Sequence, residues 1–235
     1  MAILELKKEE HVANIVMNNG KNTQDLNFAQ TLHEMVEEVG QDDGAHALVI
    51  SSSDEKNWSQ GFNLDWMGQQ RQEGAAQNVT EMFALLDQVY TKIMLLPCPV
   101  IAAINGHAFG AGAFLATACD YRFMNSQKGF FCFPEIDLDM DFLPGVFRMM
   151  VHKLPEYKLP DLLYTGKRAT AVELERYFIV EEACEGVEET YKQAMAFAQN
   201  FQKNRDLIAS YKRQLHGQVA EEVVSLNKAH FAKLG

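Results

Sequence analysis

Positive charge is scarce in this chain of 235 residues: 21 Lys and Arg stand against 32 Asp and Glu, for a formal net charge of −11 at pH 7. Duplex nucleic acid and anionic membrane surfaces are held by clustered cations that release counterions, so neither is expected as a partner. Disulfide frameworks and metal motifs are missing as well. Cys98, Cys119, Cys132 and Cys184 lie far apart, mostly in apolar runs and without C-x-x-C spacing, which reads as reduced thiols in a core. No His, Cys or carboxylate spacing resembles a zinc or calcium site, and no metal is expected. The opening MAILELKKEE has no apolar stretch behind a basic start, so no secretory signal is expected. Ala232-Lys233-Leu234 approximates a peroxisomal tripeptide, but Gly235 follows it, and the expected location is cytoplasmic.

Long uninterrupted hydrophobic runs are lacking too. Residues 93–119 contain no Lys, Arg, Asp or Glu, but Pro97, Pro99 and the triplet Asn105-Gly106-His107 divide them into pieces too short to span a bilayer.

What is present is the composition of a folded globular protein, 47% hydrophobic and 23% charged, which places the chain outside the disordered class. Residues 3–6 and 12–17 read as a hairpin. Phe28, Leu32, Met35, Val36 and Val39 recur at helical steps, and Gly40 with Asp42-Asp43-Gly44 ends that helix. Residues 47–50 read as a buried strand, and 67–78, rich in Gln and Gly, as a mobile surface loop. Val79, Met82, Phe83, Leu86, Val89 and Ile93 mark a long helix; 100–104 is a strand, 110–118 a helix and 121–124 a strand. This alternation predicts an α/β arrangement with a mainly parallel sheet. From Leu143 onward the pattern is almost entirely helical, with long amphipathic segments over 187–201 and 219–231. No internal repeat or linker interrupts the chain.

Three segments carry polar chemistry: Trp58-Ser59-Gln60-Gly61-Phe62-Asn63-Leu64, Asn105-Gly106-His107-Ala108-Phe109-Gly110-Ala111-Gly112-Ala113-Phe114, and Pro134-Glu135-Ile136-Asp137. Gly106, Gly110 and Gly112 form neither a G-x-G-x-x-G turn nor a P-loop. They place a tight turn between a buried strand and a helix, leaving the first N–H groups of that helix without acceptors, a terminus that suits an oxyanion. Taken alone, these glycines would be close-packing turns and Glu135 a solvated acid. The Phe130-Phe131-Cys132-Phe133 run ahead of Glu135 argues for a pocket wall instead. Asp137, Asp139 and Asp141 read as a solvated acidic loop, His107 as a packed histidine, Asp120 as structural, and Trp58 and Phe114 as pocket or core aromatics. Ser59 lacks the context of a nucleophile.

Over nearly its whole length the chain resembles the crotonase, or enoyl-CoA hydratase and isomerase, superfamily. The run from Pro99 to Gly112 is similar to that family's signature strand-turn-helix. Trp58 to Leu64 is similar to its F-S-x-G-x-D-L segment with Asn63 in place of Asp, and Pro134-Glu135 to its P-E-x-x-x-G turn. Arg168-Ala-Thr-Ala-Val-Glu-Leu is similar to a later family helix. Asp139 and Phe178 stand where glycines are common. The resemblance implies a crotonase-like (ClpP/crotonase) spiral of ββα units over 1–185 and a helical C-terminal trimerisation region over 186–235, assembled as a homotrimer or homohexamer.

The same resemblance implies an acyl-CoA thioester as substrate, coenzyme A entering only as part of it, with no permanently bound cofactor. An enolate-like oxyanion would be held by the backbone N–H groups of Phe62 and Ala111, each donor contributing about 3 to 4 kcal/mol in a water-poor site. Trp58, Gln60, Gly61, Leu64, Gly110, Gly112, Phe114 and Pro134 would line the substrate. Of the two hydratase glutamates only Glu135 is kept, because the other position falls on Phe114, which neither holds nor activates water. One acid suffices to move a proton between carbons two apart, so the pattern resembles the family's 3-enoyl-CoA to 2-enoyl-CoA isomerases more closely. The rivals are hydration or thioester hydrolysis with Asp139 or Asp141 as a second acid, and a catalytically silent acyl-CoA-binding module. Lys21 and Lys56 are the candidate cations for the CoA phosphates, with Lys203, Arg205, Lys212, Arg213 and Lys228 behind them. A CoA site requires some of these to converge on one pocket rim, and scattering counts against it.

Overall fold

The computed structural model describes residues 2–233, so the Leu234-Gly235 end of the tail lies outside the described residues. The chain opens with β1 (Leu4–Glu9) and β2 (Val12–Met17), an antiparallel hairpin turned at Glu10, whose φ of 57° is left-handed. After the short β3 (Thr23–Gln24), Asp25 caps α1 (Leu26–Gln41) by accepting the Phe28 N–H at 3.0 Å. Then follow β4 (Ala47–Ser52), β5 (Asn57–Ser59), β6 (Gly61–Phe62), α2 (Leu64–Gln72) and α3 (Ala76–Leu95). The central third holds β7 (Val100–Ile104), β8 (His107–Phe109), α4 (Ala111–Ala118), β9 (Tyr121–Asn125) and β10 (Phe131–Cys132), and a 3₁₀ turn, Pro134–Leu138. The remainder is α5 (Pro144–Lys153), α6 (Leu159–Leu163), α7 (Ala171–Arg176), β11 (Glu182–Cys184), α8 (Val187–Ala198) and α9 (Arg205–Phe231).

Among the described residues the main sheet has the order β1-β2-β4-β7-β9-β11, parallel beyond the opening hairpin. Its central strands β4 and β7 are buried on both faces, as a sheet covered on both sides requires. Leu48, Ile50, Ala102 and Ile104 face the larger core with α1 and α3, while Val49, Ile101, Ala103 and Phe123 face Ala194, Met195 and Ala198 of α8. Each of β4, β7 and β9 leads within a few residues into a short strand, and β5, β8 and β10 pair in parallel as a second sheet of order β10-β8-β5. This repeated strand, strand, helix progression stacks the chain segments that carry the three polar motifs.

Several expectations change. The 67–78 segment is not a loop: α2 continues to Gln72, Gly74 with φ +72° makes the turn, and α3 starts at Ala76. Asn63 explains α2, since its side chain accepts the Trp66 N–H at 3.1 Å; Asn caps as well as the Asp it replaces. Met67 and Gln70 are buried, and Asn78 Nδ2 donates to Gln70 Oε1 at 2.6 Å, fastening the two helices together. The C-terminal part includes β11, which extends the parallel sheet beside β9. The last helix begins at Arg205 and packs across α3 and α5, close enough that a side chain at Gly145 would meet the Val223 carbonyl. Asp139 and Phe178, at positions where the family commonly has glycine, both adopt left-handed backbone, at φ 50° and 57°. All four cysteines are buried and free.

Candidate active site

The site is built where β6 meets the start of α4. Gly110 precedes the helix with φ +50° and donates its N–H to Cys132 O at 3.0 Å, which ties the turn to β10. Phe114 N donates to Gly110 O at 2.9 Å as the first helical bond, so the Ala111 N–H has no acceptor in its own helix and finds none elsewhere among the described residues. Gly61, with φ +82°, runs directly beneath: a Cβ there would lie 2.5 Å from Phe109 O and 2.9 Å from Ala111 N. Gly112 is pressed as closely on Ser59, at 2.3 Å from its carbonyl oxygen. Only glycine lets these backbones meet.

Phe62 is oriented by its neighbours. Asn63 N donates to Gln24 O at 2.8 Å, and because N–H groups alternate in direction along a strand, the Phe62 N–H points away from β3. Gln24 Nε2 donates to Ala111 O at 3.1 Å and Ser59 Oγ to Asn22 O at 2.7 Å, bracing both segments from behind. Two N–H donors on touching segments are thereby held rigidly.

Glu135 is the second residue of the 3₁₀ turn after β10. It is 7% exposed, its Oε1 lies 3.3 Å from where a Cβ on Gly110 would sit, and its Oε2 has no hydrogen-bond partner. Burial without a compensating cation pushes its pKa up to about 7. Around it stands an aromatic wall. Phe114 stacks on Phe133 with ring centres 5.7 Å apart and meets Phe62 and Phe142 edge-on, and Phe62 meets Phe83 at 5.1 Å. Phe114 thus fills its position with hydrocarbon.

Of the other sequence candidates, Gly61, Gly110, Gly112, Phe114 and Pro134 gather here. Leu64 is exposed at the start of α2. Gln60 turns its side chain to Asn57 Oδ1 at 2.6 Å. Trp58 belongs to the core rather than to a ligand surface: it is wholly buried, and its indole N–H donates to Ile50 O at 3.2 Å. Asp137 is exposed within the turn, and Asp139 and Asp141 are exposed beyond it. The cations gather only in part. Lys56 lines a cleft of about 570 Å³ together with Lys128 and His107, and Lys21 is absent from its lining although its carbonyl receives the Gln60 N–H. Lys212 is buried on Asp120 at 2.6 Å, and Arg205 is spent on the carbonyls of Ala45 and Gly40. The expected convergence reduces to Lys56 and a lysine that the sequence reading passed over.

Also passed over were Asp87 and Tyr90, both buried. Their signal was available: Asp87 falls in phase with the apolar stripe of Val79, Phe83 and Leu86, where a solvated acid does not belong.

The model of the enoyl-CoA hydratase/isomerase family matches residues 7–233. The chain belongs to that family. An enoyl-CoA delta isomerase 2 of Arabidopsis thaliana is 30% identical over 68% of this chain and 67% of its own. A crotonyl-CoA hydratase of Syntrophomonas wolfei is 33% identical over 75% and 67%. The fold is that of the crotonases: an enoyl-CoA hydratase of Bacillus halodurans superposes with a TM-score of 0.87 at 20% identity, covering 97% of this chain and 92% of that one. A probable enoyl-CoA hydratase of Mycobacterium tuberculosis reaches 0.89, also at 20% identity, over 100% and 97%. Isomerases and hydratases thus stand side by side among the relatives, and overall similarity does not separate the two reactions.

Proposed function

We propose that the protein is an enoyl-CoA isomerase that shifts a 3,4 double bond of an acyl-CoA thioester to the conjugated 2,3 position. The observation that carries this reading is a single orphaned carboxyl, Glu135, beside the start of α4, with Phe114 packed where a second acid would have to hold water. The thioester oxygen accepts from the N–H groups of Phe62 and Ala111. Glu135 takes a proton from C2, the negative charge collects on the thioester oxygen, and the same carboxyl returns the proton to C4. A carboxyl whose pKa is raised to about 7 is suited to both halves of this exchange, since it gains and loses a proton near neutrality. Hydration would need a second acid; Asp139 and Asp141, exposed past the turn, are poorly situated to supply it. Lys56 and Lys128 are proposed to meet the CoA phosphates. The stripe of Leu207, Tyr211 and Leu215, each more than half exposed on α9, supports packing between copies in a homotrimer.

The test offers the purified protein a 3-enoyl-CoA and, separately, a 2-enoyl-CoA. Conjugation of the first without hydration of the second is the expected result. Hydration of the second, release of free CoA, or binding without turnover would each replace this reading with one of its rivals.

A further inference from the structure

One buried acid and one buried phenol beside the site take no part in that reaction. Phe83, Asp87 and Tyr90 follow one another on α3 at steps of four and three residues, so they share one face of the helix. That face borders the aromatic wall, because Phe83 meets Phe62 edge-on with ring centres 5.1 Å apart. Asp87 is 4% exposed and Tyr90 1%. The carboxyl is fixed from one side only: its Oδ1 accepts from Asn227 Nδ2 at 2.8 Å, and Asn227 Oδ1 takes the Gly145 N–H at 2.6 Å. The other oxygen, Oδ2, is not among the oxygens closed off without a partner, and it takes no part in this clasp. The Tyr90 hydroxyl has no hydrogen-bond partner among the described residues and is closed off from solvent. Burial pushes the phenol's pKa well above its ordinary value, and the negative charges of Asp87 and Glu135 push it the same way.

Leaving a buried hydroxyl or carboxyl unpaired costs about 1–3 kcal/mol each, and folded proteins retain such groups where a ligand or water completes them. The orphaned oxygen of Glu135 is accounted for by the proton it moves. That of Tyr90 is not, and the Asp87 carboxyl, held through one oxygen only, stands one helical turn away. An all-hydrocarbon chain laid along this face would leave the Tyr90 hydroxyl unpaired, whereas one hydroxyl on the chain can accept from Tyr90 and donate to Asp87. We propose that Asp87 and Tyr90 form a polar recognition point for the acyl chain, favouring acyl-CoA thioesters that carry a hydroxyl group beyond the double bond over plain hydrocarbon chains. This rests on the acyl-CoA reading above and narrows its substrate class.

The experiment is equilibrium binding by calorimetry of saturated acyl-CoA thioesters over a series of chain lengths, each with and without a terminal hydroxyl, to the full chain and to Tyr90→Phe and Asp87→Asn. Saturated chains are not isomerised, so the readout is independent of turnover. At one chain length the hydroxylated thioester is expected to bind about 10- to 100-fold more tightly than its plain counterpart, the worth of one or two completed buried hydrogen bonds. Either variant is expected to erase that preference while plain-chain binding persists. A merely structural role for the pair would lower thermal stability and leave the ratio untouched. Equal affinity at every chain length, a preference that survives Tyr90→Phe, or no acyl-CoA binding at all overturns the proposal. Selective binding without conjugation of any 3-enoyl-CoA would keep this inference and discard the isomerase; conjugation of plain chains without any preference would do the reverse.

Discussion

The two ends of α4 are treated in opposite ways. At its C-terminal end a buried cation is matched by carbonyls: Arg122 donates to those of Ala116 and Cys119 at 3.1 and 2.9 Å and to Ile179 O at 2.5 Å. Next to it Asp120 Oδ2 takes the Val100 N–H at 2.8 Å and Lys212 Nζ at 2.6 Å, and Lys153 stands 3.7 Å from Oδ1. At the N-terminal end, a few turns away, the Ala111 N–H and Glu135 Oε2 are left unmatched. A buried charge surrounded by partners fixes the fold, whereas a buried acid without one has its proton held loosely and is available for chemistry. The helix dipole fits both ends, a cation capping the carbonyls and open N–H groups awaiting developing negative charge.

That contrast can be broken most forcefully at Glu135. Glu135→Gln is expected to lower turnover by about 100- to 10,000-fold with acyl-CoA binding retained, measured by steady-state kinetics and calorimetry. At the sealed end the loss should appear in stability instead. Asp120→Ala strands Lys212 and Lys153 in the interior and is expected to cost about 3–5 kcal/mol in denaturant unfolding, with the activity of the remaining folded protein little changed.

The open end should also cost stability as it stands. The Glu135 carboxyl has a pKa of about 7 when folded, above the usual carboxylate value of about 4.3, so folding takes up a proton between those values. Stability from this group therefore falls as pH rises through that window. Glu135→Gln should be more stable than the wild type by about 1–3 kcal/mol at pH 8, with the gain shrinking toward pH 5, as read from paired urea melts. Turnover should run the other way, rising with pH as the carboxyl becomes free to accept the C2 proton. The smallest effect concerns strain remote from either charge: Phe178, 84% exposed at φ 57°, should gain about 0.5–1 kcal/mol on Phe178→Gly without any change in kinetics.

The same contrast explains how much could be read from the sequence. The open end was legible because its requirements are local: Gly61, Gly110 and Gly112 mark backbones that must touch, and Pro134-Glu135 follows an aromatic run. The strands were legible too, since β4 and β7 are continuous apolar runs of strand length. The sealed end was legible only by half. Asp120 reads as structural, but its partner Lys212 lies 92 residues away on α9, where it looks like one more solvated helix cation. Residues 67–78 read as a loop because Gln and Gly dominate them; the cap at Asn63 and the burial of Gln70 come from contacts that composition does not record. Asp87 was missed for a related reason, that an acid in a helix is taken as exposed unless its phase in the apolar stripe is checked.

The most direct test of the proton shuttle follows a label. A 3-enoyl-CoA carrying deuterium at C2 is incubated with the wild type and with Glu135→Gln, and the product is analysed by mass spectrometry and proton magnetic resonance. The account predicts conjugated product from the wild type with part of the deuterium at C4, and almost no product from the variant. Hydrated product, or conjugation that proceeds as fast in the variant, would contradict it.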